Sequence, residues 1–68
     1  MQYTIEYERE DDGRWLAEVL ELPGAMAYGS TSEQAIARVQ ALALRAIADR
    51  LEHDETSPEF GNISFAAA

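Results

Sequence analysis

The sequence predicts one small α+β domain of order β-β-β-α-β, an antiparallel three-stranded meander with one helix packed on one face and a short fourth strand. Two segments near the start alternate between inward and outward side chains, and a long segment after residue 30 has apolar residues at helical spacing. Glycine or proline separates these segments. Because 68 residues allow only one core, we expect residues 1–68 to form a single domain.

The first two strands are predicted to form a hairpin. Gln2–Arg9 and Arg14–Leu20 have the period of half-buried strands, and Gly13 between them suits a bulged turn. We expect the inward side chains to pair so that the aromatic residues collect on one side: Trp15 with Tyr7, Ala17 with Ile5, and Val19 with Tyr3.

A turn, a third strand and the helix follow. Leu22-Pro23-Gly24 is a turn sequence, and residues 25–28 read as a short strand that Gly29 closes. Thr31 is expected to cap the helix, with Gln34 completing a capping box, and the helical pattern runs to Leu51 or Glu52. The stripe predicted to face the sheet comprises Ala35, Ile36, Val39, Leu42, Ala43, Ala46 and Ile47. A second apolar stripe lies on another side: Ala37, Ala41, Leu44, Ala48 and Leu51.

The end of the chain is less regular. Residues 53–59 are polar and include a proline, which predicts a loop after the helix. Residues 62–65 alternate weakly and predict the short fourth strand.

Composition indicates a cytoplasmic protein with partners. Five basic and 13 acidic residues give a net charge of −8 with no lysine, which disfavours binding to nucleic acid and favours a basic protein partner. The absence of cysteine, signal-peptide pattern and membrane-spanning run fits a reducing cytosol. Twelve alanines leave a thin core, so we expect a homo-oligomer, a dimer or tetramer, with Leu44 and Leu51 in the interface.

The residue inventory offers little for catalysis. Cysteine is absent, and the single histidine, His53, is expected to be a surface residue at the helix end. Glu6, Glu8 and Glu18 can share one sheet face, but the predicted helix face and last strand add no acid to complete a metal site. We therefore assign no catalytic residue, metal or cofactor and expect a non-enzyme.

One helix covers only one face of a small sheet, so the other face is predicted to be open. Acids and leucines share it, and we expect them to bind a partner: Glu6, Glu8, Leu16, Glu18 and Leu20. Two alternatives stay open for this face, an ordinary solvated surface and self-association through the same leucines.

Four motifs run in order through nearly the whole chain: Tyr3-x-Ile5-x-Tyr7, Asp12-Gly13-x-Trp15-x-Ala17-x-Val19, Glu21-Leu22-Pro23-Gly24, and Gly29-x-Thr31-x-Glu33-x-Ala35. This series resembles the HicB family of antitoxin-like proteins. The resemblance implies a truncated RNase H-like fold without nuclease activity, assembled as a dimer or larger oligomer. It also implies a partner, the small basic RNA-cleaving toxin HicA, whose catalytic surface the antitoxin masks.

The chain also departs from the family pattern. Ala25 stands where many members have cysteine, and Leu20 where proline often precedes the turn. Many members carry a C-terminal DNA-binding domain, whereas this sequence stops at Ala68, so direct DNA binding is not expected. The expected function is that of an antitoxin-like, protein-binding regulator. The alternatives are a homo-oligomeric scaffold without a toxin and a residual metal-dependent nuclease.

Overall fold

The computed structural model describes residues 2–53 and 63–68. Its elements are β1 (Gln2–Arg9), β2 (Trp15–Val19), β3 (Met26–Gly29), α1 (Ser32–Glu52) and β4 (Ser64–Ala67). The strands form one sheet in the order β3-β2-β1-β4. The β1–β2 and β2–β3 pairs are antiparallel, whereas β4 runs parallel to β1, so the sheet is mixed. The prediction of a small α+β fold with four strands and one helix is confirmed.

The hairpin register differs from the predicted one by two residues. The observed pairs are Ile5 with Val19, Tyr7 with Ala17, and Arg9 with Trp15. The turn sets this register, because the Glu10 N–H donates to the Arg14 carbonyl at 2.7 Å and the Gly13 N–H donates to the Glu10 carbonyl at 3.0 Å. Gly13 has a φ of 92°, as a bulge after a three-residue loop requires. A shift of two residues keeps every side chain on its predicted face.

A tight turn joins β2 to β3. The Ala25 N–H donates to the Leu22 carbonyl at 2.9 Å, with Pro23 and Gly24 in the middle and φ of Gly24 at 88°. This pattern is typical of a type II turn. Because Ala25 closes the turn, β3 starts one residue later than predicted, and Leu22 is buried beneath the turn.

The core lies between the sheet and α1. Its buried side chains are Tyr3, Ile5, Ala17, Val19, Leu22, Ala25, Ala35, Val39, Ala43 and Ile47. The prediction that Tyr7 belongs to this core is wrong, since Tyr7 is 40% exposed. Tyr7 lies toward the hairpin end of β1, where its ring contacts the half-buried Trp15 ring at a centroid distance of 6.3 Å. The helix packs mainly over β2 and β3 and leaves this corner uncovered.

Both ends of α1 are capped by side chains. Thr31 Oγ1 accepts a hydrogen bond from the Gln34 N–H at 3.0 Å, as predicted. The reciprocal bond differs, because Gln34 Oε1 accepts from the N–H of Ser30 at 2.7 Å rather than from that of Thr31. At the other end His53 is the C-cap residue, exposed as expected, with its Nδ1 2.8 Å from the Asp49 carbonyl oxygen.

Strand β4 lies two residues later than predicted. It pairs with β1 from Gln2 opposite Ser64 to Ile5 opposite Ala67, and the Ala68 N–H donates to the Ile5 carbonyl at 2.8 Å. The expected loop over residues 54–59 and the expected strand start at residue 62 lie outside the described residues. In the described part of the chain, no helix combines the length and apolar character needed to cross a membrane.

Candidate functional site

The sheet face opposite α1 carries the residues that the sequence predicted to bind a partner. The register places Glu6 directly opposite Glu18, and Glu8 directly opposite Leu16. These four residues line a shallow depression of about 360 Å³ together with Tyr7 and Ala68. We call this surface, with its bordering residues on β3, the acidic face.

Leu20 is the predicted partner residue that does not line the depression. It follows the last residue of β2, in the turn, and is 46% exposed. Its N–H donates to the Thr4 carbonyl at 3.0 Å, so its backbone is still tied to β1. Leu20 therefore lies at the rim of the acidic face rather than in the depression.

Strand β3 adds an apolar border that sequence reasoning missed. Met26 pairs with Glu18 and Tyr28 pairs with Leu16, which places both side chains on the same face as the acids. Met26 is 48% exposed and Tyr28 is 42% exposed. The position of this border depends on the register between β2 and β3. The four residues of β3 show no clear alternation, so the sequence alone does not fix that register.

Like charges oppose each other at the centre of the acidic face. Glu6 and Glu18 are directly cross-strand, an arrangement that is unfavourable in an isolated sheet. Nearby Arg14 is already engaged, because its guanidinium stacks 4.2 Å from the centroid of the Tyr28 ring and pairs with Asp12 at 2.7 Å. A cationic group from another molecule would relieve the repulsion between the two glutamates.

A glutamate side chain extends the hydrogen bonding of β1 at the rim. Glu21 Oε1 accepts from the Thr4 N–H at 2.7 Å, just beyond the last β1–β2 pair. This backbone hydrogen bond lowers the pKa of Glu21 below its ordinary value. Glu21 is thus a structural carboxylate that holds the edge of the acidic face.

The acids of the described residues do not converge on a metal. Within residues 2–53 and 63–68, no three histidine, aspartate or glutamate side chains are arranged to hold an ion. Glu6, Glu8 and Glu18 instead spread across two neighbouring strands, with Leu16 between them. The chemistry available to this surface is electrostatic attraction to cations combined with burial of the exposed leucine, methionine and tyrosine side chains.

Searches with the chain among protein-family models, curated proteins and solved structures find no match.

Proposed function

We propose that this protein is a non-catalytic, HicB-like binding module whose acidic face masks a small basic protein of the RNA-cleaving HicA type. The observation that carries the proposal is the combination, on one exposed sheet face, of opposed glutamates with an apolar border. The ordered motifs that resemble the HicB family supply the choice of partner. The same proposal covers the fold, which we propose is related to a truncated RNase H fold.

Charge favours a basic partner for this face. The chain has a net charge of −8, and residues 2–21 contain seven carboxylates and two arginines. Such a surface attracts a basic protein over a distance and repels the phosphates of free nucleic acid. Arginine and lysine side chains of the partner would lie between Glu6 and Glu18, where they neutralise two carboxylates that face each other.

The apolar border supplies the burial that charge alone does not. Buried apolar and aromatic side chains supply most of the binding energy of a protein interface. Leu16 is half-buried at the centre of the acidic face, and Met26 and Tyr28 are exposed beside it. The partner is therefore expected to present an apolar patch flanked by basic residues.

The test is capture of a catalytically inactive HicA-type protein by the purified chain, together with inhibition of RNA cleavage by the active form. The variant Glu6→Lys with Glu18→Lys should lose capture, because it replaces both opposed carboxylates. Asp11→Lys with Glu52→Lys is the matched control, since it changes net charge equally at two exposed positions away from the acidic face. Capture by the control and not by the first variant supports the proposal.

Two results would contradict this function. If folded wild-type protein neither captures the HicA-type protein nor blocks its cleavage of RNA, the partner assignment is wrong. If the chain alone cleaves RNA in the presence of Mg²⁺ and loses this activity with a chelator, the protein is an enzyme. The same assay thus separates a masking protein from the nuclease alternative.

A further inference from the structure

One side chain of the acidic face is chemically reactive toward peroxides. Met26 is the first residue of β3, pairs with Glu18 on β2, and is 48% exposed. The chain has no cysteine and two methionines, of which Met1 lies outside the described residues. Thiols and thioethers are the side chains on which protein oxidation concentrates. Met26 is therefore the oxidisable thioether that the structure places on the candidate partner surface.

The alternation of side chains along β3 keeps the Met26 sulfur away from the core. Ala27 packs against the core and Gly29 is buried, so these two residues form the inward side of the strand. Met26 and Tyr28 alternate with them and are exposed on the acidic face. A chemical change at the Met26 side chain therefore alters the acidic face and leaves the packing between the sheet and α1 intact.

We propose that Met26 is an oxidation site, at which hydrogen peroxide forms the sulfoxide and thereby weakens binding at the acidic face; this inference rests on the proposed function. A lone pair of the thioether sulfur attacks one peroxide oxygen, and the S–O bond forms as the O–O bond breaks. The leaving hydroxide takes the proton of the transferred hydroxyl group and departs as water. The sulfur loses two electrons and the peroxide gains two.

The product changes the apolar border of the acidic face. Methionine is a flexible apolar side chain that suits binding surfaces, whereas its sulfoxide is polar and accepts hydrogen bonds. A partner that covers position 26 must then remove water from the sulfoxide oxygen and no longer gains the burial of an apolar thioether. We expect the affinity to fall about tenfold, the order of magnitude for losing part of one apolar contact.

The kinetic signature of this change differs from that of a charge variant. Oxidation leaves the net charge of the chain unchanged, so the long-range attraction to a basic partner is unchanged as well. The association rate should therefore stay close to that of the untreated protein, and the dissociation rate should rise. Sulfoxide reductases, one for each epimer of the sulfoxide, should restore the original rates because they regenerate the thioether.

The test compares peroxide-treated and untreated protein for capture of the catalytically inactive HicA-type protein. Mass spectrometry of the peptide that contains Met26 should show the addition of one oxygen. Met26→Leu is the matched control, since it keeps an apolar side chain of similar size and removes the thioether; its capture should not change with peroxide. Met26→Gln, which places a polar group on a side chain of similar length, should weaken capture without peroxide.

Two results would overturn the inference. Equal capture by the oxidised and untreated wild type would show that the sulfoxide does not affect the surface. Loss of capture by peroxide-treated Met26→Leu would assign the effect to another side chain. The urea midpoint should be the same before and after oxidation, because Met26 lies outside the core. A drop in that midpoint that accounts for the lost capture would also overturn the inference.

A second probe separates failure of this inference from failure of the proposed function. A synthetic peptide of alternating arginine and leucine presents the basic and apolar groups that the acidic face should bind. If the HicA-type protein is not captured but the peptide binds and oxidation weakens its binding, the partner assignment fails and the inference stands. If the HicA-type protein is captured equally before and after oxidation, the function stands and the inference fails. If neither probe binds, both fail.

Discussion

Gly29 has no side chain, and this allows β3 and α1 to pack closely against each other. It is buried at the end of β3, and a Cβ placed there would lie 2.5 Å from the backbone nitrogen of Ala35 and 3.0 Å from its Cα. Both atoms belong to the first turn of the helix, which Thr31 and Gln34 hold in place. Neither neighbour is the flexible end of a side chain, so the contact cannot be relieved locally.

We expect Gly29→Ala to lower the free energy of unfolding by about 1–3 kcal/mol, the range typical of an overpacked interior. Urea denaturation followed by circular dichroism measures the loss. Gly24 provides the comparison, because it has a positive φ but nothing within 4 Å of an added Cβ. Asparagine tolerates a positive φ, so Gly24→Asn should lower the free energy of unfolding less than Gly24→Ala does. At position 29 the obstacle is steric, so Gly29→Asn should lower it more than Gly29→Ala does. Wild-type stability of Gly29→Ala would contradict the steric explanation.

Glu21 links the stability of the fold to pH. The hydrogen bond from the Thr4 N–H holds the pKa of Glu21 below its ordinary value of 4.5. A carboxyl group with a lowered pKa in the folded state stabilises that state above its ordinary pKa, and this contribution is lost as the pH falls through the lowered value. Asp12 acts in the same direction, because hydrogen bonds from the backbone and side chain of Arg14 lower its pKa.

The Glu21→Gln variant should therefore lose less stability than the wild type when the pH is lowered from 6 toward 3, a window of about three units around the ordinary pKa. The measurement is the urea midpoint at a series of pH values. An unchanged pH profile for Glu21→Gln would show that its hydrogen bond does not stabilise the folded state.

At the scale of elements, the β1–β2 hairpin combines a well-formed turn with an unfavourable charge pair. Gly13 and the Glu10–Arg14 hydrogen bond fix the turn, and the resulting register places Glu6 opposite Glu18. A register shifted by two residues would keep the core but separate these two glutamates. The repulsion is thus a consequence of turn geometry, and it stays at the surface where a partner can neutralise it.

Glu18→Lys should stabilise the isolated protein by about 0.2–1 kcal/mol, because it converts a like-charge pair into an opposite-charge pair. The gain should fall as salt is added, and urea denaturation at low and high salt measures both effects. The same variant should bind the proposed basic partner more weakly. A Glu18→Lys protein that is less stable than the wild type at low salt would argue against repulsion between Glu6 and Glu18.

The helix was more predictable from sequence than the sheet. Thr31, Gln34 and the inward apolar stripe determine where α1 begins and which side it buries, and both agree with the structure. Strand register is harder to predict from sequence, because side-chain alternation with a period of two is equally compatible with pairings that differ by two residues. The parallel strand β4 is harder still to predict, since half of its four residues are alanine and no turn in its sequence leads toward β1.

At the scale of the whole molecule, charge is divided between the two layers. The helix is neutral, whereas residues 2–21 carry most of the excess negative charge. The glutamates of the acidic face were predictable, because the alternation of side chains along β1 and β2 determines which face they share. Its apolar border of Met26 and Tyr28 was not, because it depends on how β3 pairs with β2.

This charge distribution predicts how the proposed partner arrives. The association rate with a basic partner should fall steeply as ionic strength rises, while the dissociation rate changes less, because long-range attraction is screened and buried contacts are not. Stopped-flow or surface-based kinetics at several salt concentrations measures both rates. Glu6→Lys with Glu18→Lys should mainly slow association. An association rate that is independent of salt would contradict electrostatic attraction.

The contact between Arg38 and β3 affects whether a strand of another molecule can pair with this edge of the sheet. Strand β3 lies at one edge of the sheet, and the Arg38 guanidinium donates to the Tyr28 carbonyl at 2.9 Å. The charged Arg38 side chain thus occupies a backbone acceptor of the edge strand, which makes this edge a poorer template for a neighbouring molecule. A sheet with one disfavoured edge has only its other edge for pairing with a neighbour, so growth by repeated addition is disfavoured. Arg38 should therefore protect this small acidic chain from polymerising end to end into fibrils.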